Sequence, residues 1–132
     1  MKINKILVIF YLVIFLPLIS HSQEIDFEAS DIKIVDENKI IAFNSKTNIP
    51  SNNILVESDE VEYNKEKNLL IFKGNVLLID KENRISIKSN KIRYDRNLDL
   101  INSLGDTLII IKNIYKIQTV SIIYHQKNQN IY

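Results

Sequence analysis

Cysteine is absent from the 132-residue chain, and glycine, proline and histidine occur twice each. Without cysteine no disulfide can staple the fold, and the redox state of the compartment is left open. His21 falls in an apolar N-terminal segment, so His125 is the one histidine of the remainder. A His/Cys metal site therefore has no ligands to build from, and nothing in the chain asks for a cofactor. No G-x-S-x-G elbow, H-E-x-x-H pair or phosphate loop occurs. Charges of both signs are interspersed, and no basic stripe points to nucleic acid. The scarcity of glycine and proline argues against a flexible low-complexity chain. With 45% hydrophobic and 25% charged residues, the composition is that of one globular domain.

The N-terminus has its own grammar. Lys2 and Lys5 precede an apolar run from Ile6 to Ile19, interrupted by Pro17 and followed by Ser20 and Ser22 around His21. A positive start, an apolar centre and a small-x-small site read as a signal peptide over residues 1–22, which leaves residues 23–132 as the folded domain. The run is short for a membrane span; an uncleaved anchor is the alternative. Loss of Lys2 and Lys5 lowers Lys+Arg from 17 to 15 against 16 Asp+Glu, a net charge of −1.

Past that segment no apolar stripe keeps helical spacing, and a repeat of about 30 residues takes over. Its clearest copy is Ile85, Ile87, Ser89, Ile92, Tyr94. The others are Ile25, Phe27, Ala29, Ile32, Ile34, then Ile54, Val56, Ser58, Val61, Tyr63, and lastly Tyr115, Ile117, Thr119, Ile122, Tyr124. Apolar residues alternate at period two, as along one face of a strand. A small residue follows and the apolar phase slips by one, which requires a bend or bulge if the side chains are to stay on one face. Each outward strand ends in a polar turn: 36–38, 64–68, 95–97 and 125–130. The return strands, at 40–43, 69–79 and 98–111, are apolar on both faces, as though both were covered. The fold class predicted is all-β, built of stacked antiparallel hairpin rungs.

Two places break the pattern. Residues 44–53 (NSKTNIPSNN) lack a Gly corner and contain Pro50, so a loop is expected to replace part of the first return strand. The fourth copy turns after Tyr124 and reaches Tyr132 without a return strand, which implies either truncation or an edge to be continued by more chain or a partner. Gly74 and Gly105 recur at one corner of successive rungs, where a bulge or tight bend is the simplest role. Asp59, Glu60 and Glu62 read as a solvated outer face; a calcium site would need loop spacing they do not show. The apolar faces enclose a common interior, either a packed core or an elongated groove, open along one side, for a lipid chain.

The residues S-x-x-V-x-Y-N-K-E-x-N-L-L-x-x-x-G-N-V from Ser58 to Val76, then S-N-K-I-R-Y-D from Ser89 and G-D-T from Gly105, resemble the OstA-like domain of the lipopolysaccharide-transport proteins. That family includes the periplasmic bridge protein LptA and the N-terminal domain of the outer-membrane assembly protein LptD. The resemblance covers residues 25–132. It implies a periplasmic, non-enzymatic β-jellyroll associated with the outer membrane. Such a jellyroll pairs end to end with other transport components and shelters the acyl chains of lipid A. Its lipid-facing wall is expected to comprise Ile54, Val56, Val61, Tyr63, Ile85, Ile87, Ile92, Tyr94, Ile117, Ile122 and Tyr124. The long alternating series of a transmembrane barrel is missing, so likeness to LptD concerns its N-terminal part only. An assembly domain that pairs by its edges without carrying lipid is the alternative; a β-solenoid enzyme would need carboxylates aligned on successive rungs, and none align.

Overall fold

A computed structural model describes residues 24–132; the expected signal peptide lies outside them. Nine antiparallel strands follow one another: β1 (Asp26–Glu28), β2 (Asp31–Ile34), β3 (Lys39–Ile49), β4 (Ile54–Asn64), β5 (Leu69–Asp80), β6 (Ile85–Asp95), β7 (Leu100–Ile111), β8 (Tyr115–His125) and β9 (Asn130–Ile131). From β3 to β9 each pairs with the next as a meander, while β1 and β2 lie end to end along the other edge of β3. The all-β stacked architecture is the one expected from the repeat.

The long strands do not run straight. Register shifts fall between Glu57 and Glu60 of β4, Lys73 and Val76 of β5, Lys88 and Lys91 of β6, and Leu104 and Thr107 of β7. The strand passes this corner on two residues in β4 (58–59) while β5 opposite uses three (74–76), the two-against-one mismatch of a bulge that bends the sheet. The extra residue needs a left-handed backbone, which Gly74 (φ 73°) and Gly105 (φ 85°) supply at the cost of no side-chain clash. The predicted phase slip is this corner.

Folding at the corner makes two walls from one sheet. The first wall contains residues 45–49, 54–58, 76–80, 85–89, 107–111 and 115–119, with β1 at its edge. The second contains 39–43, 60–64, 69–73, 91–95, 100–104 and 121–125, with β2 and β9. Inward side chains of both walls form a single apolar core: Ile49, Ile54, Val56, Leu78, Ile87 and Ile109 face Val61, Leu70, Phe72, Ile92, Tyr94, Ile101 and Tyr124. Full burial of such side chains stabilises by about 1.5–3 kcal/mol each, which is why the alternation dictates the fold.

Several expectations are corrected. Residues 44–49 are not a loop: β3 continues to Ile49, only Pro50–Asn52 forms a short 3-10 turn, and Asn44 (φ 46°) takes the corner without glycine. Asparagine tolerates this conformation better than most residues. The first copy breaks at Ala29–Ser30 into β1 and β2, with Ile32 and Ile34 exposed on the edge. The return strands are not covered on both sides: Ile71, Leu77, Ile79 and Ile110 point outward and are only half-buried. A short return strand, β9, follows the fourth copy, and His125 is the last residue of β8 rather than part of a turn, its ring edge-on to Tyr132.

Candidate functional site: a closed apolar interior with a polar seam

Ser58 and Ser89, the small residues of the second and third copies, have a job at the corner. There the two walls converge, and space for side chains vanishes. Ser45 and Ser58 share a hydrogen bond of 3.3 Å, Ser89 and Thr107 one of 3.1 Å, and Ser103 and Thr107 one of 2.8 Å. Thr107 Oγ1 donates to the Gly105 carbonyl, so Ser89 and Ser103 are the donors to Thr107, and Ser103 Oγ accepts from the Ile122 amide. These hydroxyls satisfy backbone groups that the bulges take out of the ladder.

Of the eleven residues expected to form a lipid-facing wall, Ile54, Val56, Val61, Ile85, Ile87, Ile92, Tyr94, Ile122 and Tyr124 lie inside and are buried. Tyr63 is half-buried at one end of the interior, its ring 6.0 Å from that of Phe27. Ile117 does not join the core: it is 44% exposed, and Tyr115 beside it 64%. The groove expected along one side is closed in this structure, with the core residues named above at 0–5% exposure.

What closes it is a seam of polar side chains on the side away from the corners. Tyr124 Oη donates to Asp80 Oδ2 at 2.7 Å; Asp80 also accepts from the Asn83 amide and from Asn83 Nδ2, both at 2.9 Å. Asn83 Nδ2 reaches Tyr124 Oη at 3.0 Å. Asn52 Nδ2 donates to Asp99 Oδ1 and Gln126 Oε1, each at 3.2 Å, while Gln126 Nε2 returns a 2.7 Å bond to the Asn52 carbonyl. Tyr94 Oη donates to Gln126 Oε1 at 3.3 Å. Asn52, Asp80 and Asn83 stand on the first wall, and Tyr94, Asp99, Tyr124 and Gln126 on the second. Burial raises the phenol pKa of both tyrosines well above its ordinary value, and for Tyr124 the hydrogen bond to Asp80 adds to the effect. Both phenols are therefore donors at neutral pH.

The partners across the seam also reveal an offset. Asn52, between β3 and β4, meets residues after β6 and after β8, so the walls cross rather than run in step. The offset leaves each wall uncovered at one end. At the β1–β3 end the second wall projects, and a cleft of about 540 Å³ opens among Ile25, Phe27, Ile40, Tyr63, Lys65 and Arg96. At the β8 end the first wall projects, exposing Ile114, Tyr115 and Ile117. A larger hollow, of about 870 Å³, lies outside the interior, across the outer side of the corners between Glu57, Leu77, Lys88, Leu108 and Gln118.

Chemistry elsewhere is sparse. Glu60 and Glu62 do lie on an outer face, paired with Lys73 at 2.7 Å and Lys39 at 2.9 Å. The hydrogen bond that Lys73 Nζ donates to Glu60 Oε1 raises the Lys73 pKa. Among the described residues no three His, Cys, Asp or Glu side chains gather as a metal would need.

These features define a class: a bent antiparallel jellyroll with a continuous apolar interior and two open ends. The profile of the family described as LptA/(LptD N-terminal domain) LPS transport protein matches residues 19–99, and the chain belongs to that family. Among solved structures it is similar to LptH, the LptA-homologous periplasmic component of the lipopolysaccharide transport device of Pseudomonas aeruginosa. The TM-score is 0.75 over 83% of this chain and 81% of that one, at 13% identity, a likeness of fold. Comparison with curated protein sequences finds no match.

Proposed function

We propose that this chain is a periplasmic, non-enzymatic module of lipopolysaccharide transport. Its interior receives lipid A acyl chains, and its ends join other jellyrolls of the transport system, including the N-terminal domain attached to an outer-membrane barrel where it serves as part of one. The observation that carries the reading is the apolar interior that runs from rung to rung, with Phe27, Ile40 and Tyr63 bordering a cleft at one end and the apolar side chains of Tyr115 and Ile117 exposed at the other. A core meant only to hold one domain together has no need of such a cleft at one end and exposed apolar side chains at the other. Export by the N-terminal segment and anchoring at the outer membrane belong to the same reading.

Phe72 is fully buried, and replacing it with p-azidophenylalanine keeps an aromatic ring inside. Irradiation with lipopolysaccharide should give a covalent adduct from Phe72 and from Tyr63 treated likewise. Lack of adduct from every inward position overturns the lipid-carrying role. The closed interior favours a second reading, an assembly domain that pairs by its edges without lipid; concentration-dependent association unaffected by lipid A, with no adduct, would establish it.

A further inference from the structure

We infer that the polar seam is a latch, and that an acyl chain enters sideways by parting the two walls at Asn52, Asp80, Asn83, Asp99 and Gln126. The inference rests on the lipid-carrying reading. A lipid chain needs room, and the core is closed to solvent on every rung from β4 to β7. Something must therefore open.

The fold offers few ways to do so. On the corner side β3 to β8 pass uninterrupted from wall to wall, so that side is covalent. Within each wall, neighbouring strands are held by ladders such as the ten residue pairs joining β5 and β6. Only on the far side do the walls meet without backbone continuity or ladder, and the bonds there are made by side chains. Asn52, Asp99 and Gln126 come from turns, which can move without unpairing a strand.

The chemistry of the seam fits repeated opening. Amide–amide and amide–carboxylate bonds exchange with water at small net cost, whereas an apolar seam would resist wetting. Asp80 is the telling residue. Alternation along β5 puts Val76 and Leu78 inward and then, at the next inward position, a fully buried carboxylate. A buried carboxylate is expensive unless hydrogen-bonded; here it has three bonds when the seam is shut and meets water when it opens. Tyr94 and Tyr124 hold their rings in the core and their hydroxyls on the seam, so either state suits them.

The chain has no cysteine, which makes a clean lock possible. Asn52→Cys with Gln126→Cys places two thiols across the seam, to be bridged by a short bis-maleimide, with N-ethylmaleimide capping as control. Asn83→Cys with Gln126→Cys gives a second bridge that keeps Asn52, should its replacement disturb folding. Adduct formation between lipopolysaccharide and azidophenylalanine at position 72 is the readout. The bridged protein should lose at least tenfold in adduct yield and the capped protein should keep it; Asn52→Ala, which loosens the seam, should load several-fold faster. Equal yields from bridged and capped protein overturn the latch and route lipid through the ends. If capped and unmodified protein also give no adduct, the lipid-carrying reading fails, and the latch with it.

Discussion

Tyr124 Oη donates to Asp80 Oδ2 at 2.7 Å, a bond between strands 44 residues apart that ties the second wall of the jellyroll to the first. Loss of the hydroxyl leaves a fully buried carboxylate with one donor fewer. Tyr124→Phe should therefore destabilise by about 1–3 kcal/mol, measured by urea unfolding, while Tyr132→Phe, on an exposed ring, should not.

The same contact sets a pH dependence. The Tyr94 and Tyr124 phenols titrate higher in the folded chain than their ordinary value near 10. Below about pH 10 both states hold these protons, and the stabilisation is fully present. Above it the unfolded chain ionises first, so stability is lost as pH rises towards the folded values. Unfolding free energy should fall from about pH 10 upward, with a shallower slope in Tyr124→Phe; equal slopes would remove Tyr124 from the effect.

The corner glycines are not equivalent. A Cβ on Gly74 would lie 2.9 Å from the Asp59 Cβ, whereas one on Gly105 would meet the Asn90 amide nitrogen at 3.2 Å. The second neighbour can swing aside, and the first would have to shift at its own Cβ. Both substitutions carry left-handed strain of roughly 1 kcal/mol. Gly74→Ala should cost about 1–2 kcal/mol more than Gly105→Ala in thermal or urea unfolding.

At Arg84 the direction reverses. Its φ of 55° is left-handed with a long side chain, in the exposed turn between β5 and β6. Its carbonyl accepts from the Lys112 amide, a bond any residue can make. Arg84→Gly should then stabilise by up to about 1 kcal/mol, less the entropy glycine adds to the unfolded chain. A loss of more than about 1 kcal/mol, beyond what glycine's entropy explains, would show that the Arg84 side chain makes a stabilising contact.

How far the sequence could be read follows from where each feature draws its cause. Inward residues from Ile54 to Tyr94 were legible because alternation and burial act locally, residue by residue. The left-handed corner at Asn44 escaped because it carries no glycine, although it precedes Gly74 by the repeat spacing and asparagine is a permitted substitute. The seam had no periodic signal: Asn52, Asn83, Asp99 and Gln126 sit in or beside turns whose composition resembles any turn, and only the crossing of the walls brings them together. That crossing comes from sheet twist accumulated over many strands, which no local pattern encodes. The exposure of Ile117 has the same origin, since its copy matches the others but its wall has run past its partner.

Ile117 and Phe27 mark opposite ends, and the two ends are complementary. One lacks the second wall over Tyr115 and Ile117; at the other only the short β1 of the first wall lies over Tyr63, beside the cleft that Ile40 lines. On the proposed end-to-end reading one copy laps onto the next head to tail, with β8, whose residues 115–121 have no pairing partner beyond β7 among those described, continuing the ladder. Ile117→Glu should leave stability within about 0.5 kcal/mol, because the side chain is already exposed, yet abolish association in sedimentation velocity. Glutamate at Phe27 should block the other end. Each variant alone should then be monomeric, but a mixture should form a dimer and nothing longer, through the intact end of each. A two-fold symmetric contact cannot give that result, because a surface damaged in one variant would face its own counterpart; dimers in either variant alone would therefore overturn the head-to-tail arrangement.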